Sequence, residues 1–511
     1  MLRPDLIAPI PELLRRQAAM RGNKIAYSDH QGALSYADLE ARTARLAGHL
    51  ADVGIDAGET IAILLPNSIV WVEASFAVTR AGAINVPINY ESSSAEIAYR
   101  LSDADCKAII TTEERGELVT NLRLKVPNLL AIIVTDPGSS RTQGINYLNL
   151  MASPPISGAR DPLDIHAPAY IVYTSGTTGP AKGVVLTVHG MLWTVAACTA
   201  AILGLNEHDK VLSPLQLTHS YALNLSVLAI VATGASAYLM KKFSITETVD
   251  RLSTGEFTLF PGVPTMFRYL LNSAVDLKVP NLRLCVSAGA YLPANLNTAF
   301  EDRFGVRLLD GYGTTETSTY IATNCPSGER VLGSCGVPLP GLAVRLVTSS
   351  GKDVPIGQEG ELIVRGPNIM CGYHNKPEET ARALRDGWYY TGDLAKSDEN
   401  GFLTLTGRLK ELINRGGQKI APGEIEEVVQ KHELVLDCAA VGIPHEHLEE
   451  VPVVFVQPRA GATIDVESIQ QHCRAHLSAY KVPHFVYLVA EIPRTESGKI
   501  LRDKLKKSLT A

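Results

Sequence analysis

Residues 173–183 combine hydroxyl side chains, glycines and a cation in the way that a phosphate-binding loop does. The segment reads Tyr-Thr-Ser-Gly-Thr-Thr-Gly-Pro-Ala-Lys-Gly. Glycine lets the backbone bend until successive N–H groups point at one anion, and the hydroxyls and the lysine add donors and positive charge. We therefore predict a polyphosphate site here rather than a flexible surface turn. Its candidate residues are Thr174, Ser175, Gly176, Thr177, Thr178, Gly179 and Lys182.

The loop does not have the spacing of a P-loop. Counted from Gly176, the GxxxxGK[ST] pattern requires glycine at position 181 and serine or threonine after the lysine. The chain has Ala181 and Gly183 at those positions. The loop therefore suits a nucleoside triphosphate but not the γ-phosphate chemistry of P-loop enzymes.

Four further motifs follow in order along the chain. They are Gly-Tyr-Gly-Thr-Thr-Glu-Thr at 311–317, Tyr-Thr-Gly-Asp at 390–393, the segment 407–426 and Pro-Arg-Thr-Glu-Ser-Gly-Lys-Ile at 493–500. With the loop, they resemble the ordered motifs of the adenylate-forming superfamily. This superfamily contains acyl- and aryl-CoA synthetases, the adenylation domains of peptide synthetases, and luciferases. The resemblance covers nearly the whole chain.

The resemblance implies roles in holding ATP and a magnesium ion. Tyr312 would stack on adenine, Thr315 would approach the α-phosphate, and Glu316 would help to hold Mg²⁺, a cation that prefers oxygen ligands. Asp393 would accept from the ribose hydroxyls beside Arg408. Taken alone, each motif could also be an ordinary turn. The remaining implied ATP contacts are Ala288, Gly289, Ala290, Asp310, Gly311, Gly313 and Thr314.

The last motif implies a catalytic lysine near the C-terminus. Lys499 resembles the family lysine that bridges the substrate carboxylate and the phosphate oxygens during adenylation. Lys410 falls at the family's hinge position, where many relatives have aspartate. Gly416 and Gly417 lie in a segment that resembles the version seen in CoA ligases. On this basis, CoA is the expected second substrate.

The acid substrate is constrained by the residues near His219. This histidine matches the family histidine beside the acyl pocket, although Leu217 and Thr218 replace the usual Pro-x-Phe pattern before it. Residues 211–240 contain no aspartate or glutamate, so a buried substrate ammonium would lack a partner and an amino acid is disfavoured. A short- or medium-chain fatty acid or an aryl acid fits. The candidate lining residues are His219, Tyr221, Asn224, Pro264, Ala288, Ala290 and Thr317.

Three functions remain open from the sequence. The first is an ATP-dependent acid–CoA ligase that works through an acyl adenylate. The second is a stand-alone adenylating enzyme that loads the phosphopantetheine arm of a carrier protein. The third is a binding protein that keeps the fold without the chemistry, but this function predicts missing motif residues, and none is missing.

Composition excludes other classes of protein. The 511 residues carry a net charge of −6 and no lysine- or arginine-rich run, which disfavours nucleic acid as a partner. Two charge-free stretches, 184–206 and 211–240, are interpreted as buried segments rather than membrane spans. The N-terminus lacks an apolar run of signal-peptide length, and the eight scattered cysteines suggest reduced thiols. We expect a cytoplasmic protein; its oligomeric state is open, with a homodimer as one candidate.

The order of apolar runs predicts an α/β fold. Buried strands alternate with helices up to about residue 312, which favours mostly parallel sheets covered on both faces. Short β-rich runs between about 332 and 406 predict an antiparallel or barrel-like subdomain. We predict an N-terminal domain over 1–408 that binds ATP and the acid. A small mobile α+β domain over 409–511 would carry Lys499.

Overall fold

The computed structural model describes residues 2–122, 125–136, 144–174, 180–273, 277–495 and 498–509. Two largely parallel sheets, packed with helices, form the body of the chain, as the alternation predicted. The first has the strand order β16-β15-β14-β13-β12-β10-β11-β1-β2. Its strands are β1 (Ile25–Ser28), β2 (Ala33–Ser35), β10 (Lys210–Ser213), β11 (Ser236–Leu239), β12 (Leu259–Gly262), β13 (Leu284–Ser287), β14 (Arg307–Tyr312), β15 (Ala322–Thr323) and β16 (Val337–Pro338).

The second sheet has the order β19-β9-β8-β4-β3-β5-β6-β7. Its middle strands are parallel, whereas β9 runs antiparallel to both β8 and β19. One hydrophobic core cluster joins residues of both sheets. The strands are β3 (Thr60–Leu64), β4 (Ile84–Pro87), β5 (Ala108–Thr111), β6 (Ala131–Val134), β7 (Ile145–Asn146), β8 (Pro168–Thr174), β9 (Lys182–Thr187) and β19 (Gly372–Tyr373).

An antiparallel sheet follows, as the short β-rich runs predicted. Its order is β17-β18-β21-β20, and β22 pairs with β21. The long strand β21 therefore pairs with β18, β20 and β22. Its register with β22 places Asp393 opposite Arg408. The strands are β17 (Ala343–Val347), β18 (Gly360–Arg365), β20 (Leu384–Arg385), β21 (Trp388–Ser397) and β22 (Leu403–Arg408).

The C-terminal segment forms its own mixed sheet with its own core. Successive residues of the sheet alternate between two apolar clusters, because side chains on a strand point to opposite faces. A separate core is what an independent domain needs; the boundary after residue 408 stays a prediction. The strands are β23 (Ile413–Arg415), β24 (Gln418–Ile420), β25 (Val435–His445), β26 (Glu449–Pro458) and β27 (Phe485–Leu488).

Helices cover the sheets, and several begin at side-chain caps. Ser35 accepts a hydrogen bond from the backbone N–H of Asp38 and thereby caps the N-terminus of the second helix. The α-helices are α1 (Ile10–Arg21), α2 (Tyr36–Asp52), α3 (Ile69–Arg80), α4 (Ser94–Asp103), α5 (Glu113–Leu122), α6 (Tyr147–Ala152), α7 (Val188–Thr194), α8 (Ser220–Ala222), α9 (Ala229–Thr233), α10 (Ile245–Ser253), α11 (Pro264–Asn272), α12 (Ala294–Phe304), α13 (Pro377–Ala383), α14 (Pro422–Val429), α15 (Val466–His476) and α16 (Arg502–Ser508).

The two charge-free stretches are each divided between strand and helix. The first contains most of β9, then α7 and a π-helical turn over Val195–Thr199. The second contains β10, α8, a π-helical turn over Leu223–Leu228, α9 and β11. Across the described ranges, we find no helix with the length and apolarity needed to cross a membrane.

Candidate active site

The two ends of the predicted phosphate loop are held by an antiparallel pair of strands. Thr174 ends β8 and lies opposite Lys182, which begins β9. This pairing brings the first hydroxyl and the cation of the motif side by side. Of the residues between them, five lie outside the described residues: Ser175, Gly176, Thr177, Thr178 and Gly179.

Tyr373 connects the loop lysine to the candidate magnesium ligand. The ammonium of Lys182 lies 4.8 Å from the centroid of the Tyr373 ring, and the Tyr373 hydroxyl donates to Oε1 of Glu316 at 2.8 Å. The ring is in place because β19 adds to β9, with Tyr373 opposite Val184. Sequence reasoning missed Tyr373, since nothing local marks a tyrosine that lies 57 residues from the carboxylate it contacts.

Asp393 is held by two groups at the strand ends. The Tyr312 hydroxyl donates to its Oδ2 at 2.7 Å, and Nε of Arg408 lies 2.8 Å from its Oδ1. Asp393 is almost fully buried, and its carboxylate raises the pKa of Arg408. The last residue of β14 and the paired strands β21 and β22 thereby converge. This is the cluster in which the motif resemblance expected a ribose site.

The turn after β14 is packed backbone against backbone. A Cβ at Gly311, near the end of β14, would lie 2.6 Å from the Tyr320 ring. A Cβ at Gly313 would lie 1.7 Å from the carbonyl oxygen of Thr319. Thr319 itself has a φ of 107°, a region that a β-branched residue enters only when its surroundings hold it there. The turn over 313–319 therefore leaves no room for an added side-chain atom at Gly313.

The motif residues inside this turn face different partners. The backbone N–H of Thr314 donates to Oγ1 of Thr317 at 3.1 Å, and Thr317 is fully buried. The hydroxyl of Thr315 lies 3.4 Å from that of Ser220. Thr317 thus stabilises the turn itself, whereas Thr315 lies against the segment that begins at His219.

Three of the predicted ATP contacts directly follow the end of β13: Ala288, Gly289 and Ala290. Ala288 is buried, and Gly289 has a φ of 84°, which favours glycine at that position; Ala290 follows directly. The neighbouring strand β14 carries Asp310, whose burial raises its pKa well above the usual value for a carboxyl. Both strands are parallel, so their carboxyl ends meet at one edge of the sheet, where nucleotides bind in open α/β folds.

The ammonium of Lys499 is close enough to the charged residues of this site to interact with them electrostatically. Burial is the largest cause of its lowered pKa and Arg408 the next, while Glu316 and Asp393 oppose the shift. Its charge also contributes, after burial, to a His219 pKa of about 4. The last motif of the chain therefore reaches the motifs of the N-terminal body. His219 is neutral at physiological pH.

The depressed pKa of His219 predicts a specific pH dependence of stability. The His219 imidazole has a pKa near 6.5 in the unfolded protein and about 4 in the folded protein, so between these pH values only the unfolded state binds the proton. The neutral His219 therefore stabilises the fold fully above about pH 6.5, and this stabilisation is lost as the pH falls towards 4. Between pH 7 and 5, we expect His219→Gln to lose less unfolding free energy than the wild type, by on the order of 1 kcal/mol. Urea titrations at both pH values measure this difference, and the exposed His208→Gln serves as the control. An equal loss in the His219 variant and the wild type would contradict the prediction.

The candidate acid-pocket residues lie on the elements around His219. The Tyr221 hydroxyl donates to the carbonyl oxygen of Val286 at 2.9 Å. Asn224 is fully buried and donates to the carbonyl oxygen of Met191, while its side-chain oxygen has no hydrogen-bond partner. Pro264 begins α11, just beyond the end of β12. The side chains around His219 therefore form an environment that is neutral and partly polar.

The predicted hinge segment connects the antiparallel sheet to the C-terminal sheet. Lys410 is exposed in the turn between β22 and β23. Gly416 and Gly417 form the turn between β23 and β24, and both have positive φ values, 56° and 85°, as a two-residue type I′ hairpin requires. The conformation of this turn thus explains why both positions are glycine, and their part in CoA binding stays a prediction.

The fold and these clusters define a nucleotide-dependent enzyme with a large α/β body and a smaller C-terminal unit. The profile described as AMP-binding enzyme matches residues 14–374, and that of the AMP-binding enzyme C-terminal domain matches residues 424–499. The chain therefore belongs to the AMP-binding enzyme family.

The relatives narrow the class further. The chain is 32% identical to a 2-succinylbenzoate–CoA ligase of Geobacillus sp. (strain WCH70), covering 97% of each. It is 35% identical to the naringenin synthase of Pestalotiopsis fici but spans only 18% of that protein. The crystal structure of the anthranilate CoA ligase AuaEII with anthranoyl-AMP matches with a TM-score of 0.92 and 27% identity, covering 98% of this chain and 97% of that one. The chain is an AMP-forming acid–CoA ligase that uses ATP and CoA.

Proposed function

We propose that this ligase activates a fatty or aryl carboxylic acid in two steps at the cluster around Lys499. First, a carboxylate oxygen attacks the α-phosphorus of ATP, the bond from that phosphorus to the bridging oxygen breaks, and pyrophosphate leaves. Then the CoA sulfur attacks the acyl carbon, AMP leaves with the bonding electrons, and the thiol proton passes to solvent. The convergence of Lys499 with Glu316, Asp393 and Arg408 carries the proposal.

The first step gathers several negative charges, and fixed cations lower its barrier most effectively. Lys499 bridges the acid carboxylate and the α-phosphate and stabilises the charge that develops between them. Lys182 holds the outer phosphates. Asp393 accepts hydrogen bonds from the ribose hydroxyls, and Arg408 and Tyr312 keep its carboxylate in that orientation. His219, which is neutral, lines the acid side without adding charge.

Glu316 fits a magnesium ion that ATP brings with it. Its Oε1 accepts from Tyr373, which orients the carboxylate, and oxygen is the ligand type that Mg²⁺ prefers. Across the described ranges there is no group of three or more acidic, histidine or cysteine side chains that could hold a metal alone. Glu316 would therefore hold the ion together with phosphate oxygens and water, which are usual ligands for this cation. The ion supplies neutralisation of phosphate charge.

The acid is a fatty acid of short or medium length or an aryl acid. Residues 211–240 supply no carboxylate for a substrate ammonium, and His219 supplies no cation for a second substrate carboxylate at neutral pH. Two relatives, the 2-succinylbenzoate and anthranilate ligases, act on aromatic acids, which supports the aryl alternative. Asn224, whose side-chain oxygen has no hydrogen-bond partner, adds one polar group to an otherwise apolar environment.

Acid-dependent release of pyrophosphate tests the proposal. The purified protein is given Mg-ATP and a panel of acids that varies in chain length and aromatic character, and then free CoA. We expect pyrophosphate release with one class of acid and thioester formation with free CoA. Adenylation without transfer to CoA would instead favour a carrier protein as acceptor, and no release with any acid would overturn the proposal.

Removal of the Asp393 carboxylate should weaken nucleotide use. In Asp393→Ala, Arg408 and the Tyr312 hydroxyl lose their shared partner, and the ribose loses its acceptor. We expect the KM for ATP to rise about tenfold or more, since a charged hydrogen bond is worth roughly 1.5–3 kcal/mol. Steady-state kinetics at saturating acid measures this effect. Glu399→Ala removes an equal, exposed charge beyond the end of β21 and should leave the KM unchanged; equal KM values in the two variants would refute the role.

A further inference from the structure

An arginine of the N-terminal body reaches into the C-terminal sheet. Arg268 lies on α11, one turn beyond Pro264, and its guanidinium donates to the carbonyl oxygen of Leu436. With the Gln430 amide oriented so that its oxygen faces the arginine, that oxygen accepts from both terminal nitrogens of Arg268 at 2.8 Å, and Oδ1 of Asp437 lies 3.9 Å from Nη1. The arginine side chain is only 20% exposed. A planar guanidinium with several fixed acceptors holds a defined orientation.

The contact continues through hydrogen bonds to the turn that carries Lys499. Asp437 accepts from Nη2 of Arg494 at 2.8 and 3.0 Å, and Nη1 of Arg494 donates to the carbonyl oxygen of Gly498 at 2.8 Å. Gly498 directly precedes Lys499. A Cβ at Gly498 would lie 3.4 Å from Val263, the residue before α11. The residue before Lys499 thus lies close to the start of α11.

The two arginines differ in what they join. Arg494 and Asp437 both belong to the C-terminal unit, and their ion pair persists however that unit is oriented. Arg268 belongs to the body, so its contacts with Leu436, Gln430 and Asp437 exist only in the orientation that places Lys499 beside the nucleotide cluster. A side chain that makes contacts in only one orientation of the C-terminal unit stabilises that orientation by the free energy of those contacts.

We propose that Arg268 is a positioning residue for the adenylation step: it docks the C-terminal unit so that Lys499 enters the site. It touches no substrate and acts through Asp437, Arg494 and Gly498. This inference rests on the proposed adenylation by Lys499. It requires that transfer to CoA, once the adenylate exists, does not depend on this contact.

Separate assays of the two half-reactions test the proposal. Arg268→Met keeps the apolar stem and removes the donors. We expect acid-dependent ATP–pyrophosphate exchange to fall about tenfold, the effect of losing hydrogen bonds to a charged group. Thioester formation from preformed acyl adenylate should stay within about twofold of the wild type. Arg268→Lys should recover part of the exchange rate, since it restores the charge but not the planar fork.

A double-mutant cycle between Arg268 and Gln430 gives a second test, because it also changes the residue on the C-terminal side of the contact. Gln430→Ala should also lower exchange selectively, and its combination with Arg268→Met should be less than additive, because both remove one contact. The exposed Lys278→Met is the control for loss of a positive charge on the same body. If Arg268→Met does not fold, Gln430→Ala alone decides between the outcomes.

Three results would overturn the proposal. They are an equal fall of both half-reactions, which would indicate a general structural role; unchanged exchange; and full additivity in the cycle. Failure of the proposed function is distinguishable from all three, because the wild type itself would then show no acid-dependent exchange.

Discussion

Replacing Lys499 with alanine should abolish acid-dependent ATP–pyrophosphate exchange while leaving thioester formation from preformed acyl adenylate nearly intact. The ammonium interacts electrostatically with Arg408, Glu316 and Asp393, the residues expected to surround the reacting carboxylate and phosphate groups. Removal of one fixed charge-stabilising group from such a site typically lowers the rate by about 10²–10³. Its loss should affect the step in which that charge develops, and the second step has a different geometry and leaving group.

The two half-reactions are measured separately with the acid that the substrate screen identifies. Lys504→Ala is the matched control, because it removes an exposed lysine from the following helix α16. It should leave both half-reactions unchanged. An equal loss in both half-reactions of Lys499→Ala would show that the lysine supports the structure or the acceptor step, and its assigned role would be wrong.

Gly313→Ala should be among the most damaging single-methyl additions in the chain. The new Cβ would lie 1.7 Å from the Thr319 carbonyl oxygen and 2.7 Å from the Tyr320 Cα, so backbone must move against backbone. Thr319 already has a φ of 107° and has little freedom to yield. Because overpacking and backbone strain act together here, the loss of unfolding free energy should exceed the usual range for one substitution. We expect a loss of about 4 kcal/mol or more.

Thermal unfolding and nucleotide binding both report on this variant. The turn over 313–319 carries Thr315 and Glu316, so any fraction that folds should bind ATP weakly. Gly158→Ala is the control: that glycine is exposed, has no atom within 4 Å of the added Cβ, and should tolerate alanine with little change in midpoint. A Gly313→Ala protein with wild-type midpoint and ATP affinity would refute the packing argument.

Most of the individual site elements could be predicted from the sequence because their chemistry is local. The loop of hydroxyls and glycines that ends at Lys182 depends on residues a few positions apart, and strands β8 and β9 hold its two described ends opposite each other. The parallel sheets followed from apolar runs between helices. The antiparallel sheet that carries Asp393 and Arg408 followed from short β-rich runs divided by turns.

Contacts between distant elements could not be predicted in this way. Tyr373 reaches Glu316 only because β19 adds to β9, and Arg268 meets Gln430 only because α11 faces the C-terminal sheet. The hydroxyl of Tyr221, a predicted lining residue of the acid pocket, donates to the carbonyl oxygen of Val286 on β13, which is another contact between distant elements. Such pairings depend on strand order and packing, which leave no periodic signal around the residues involved.

By itself, the sequence determined the chemical class of this protein: an ordered set of motifs whose residue types can hold ATP, neutralise phosphate charge and activate a carboxylate. That information is local, since each motif is a short turn whose backbone and side chains act together. The tertiary structure alone decided which motifs meet, that Lys499 joins the cluster around Asp393, and which side chains hold it there. Those outcomes depend on how separately folded elements pack, and packing free energy is a property of the whole chain.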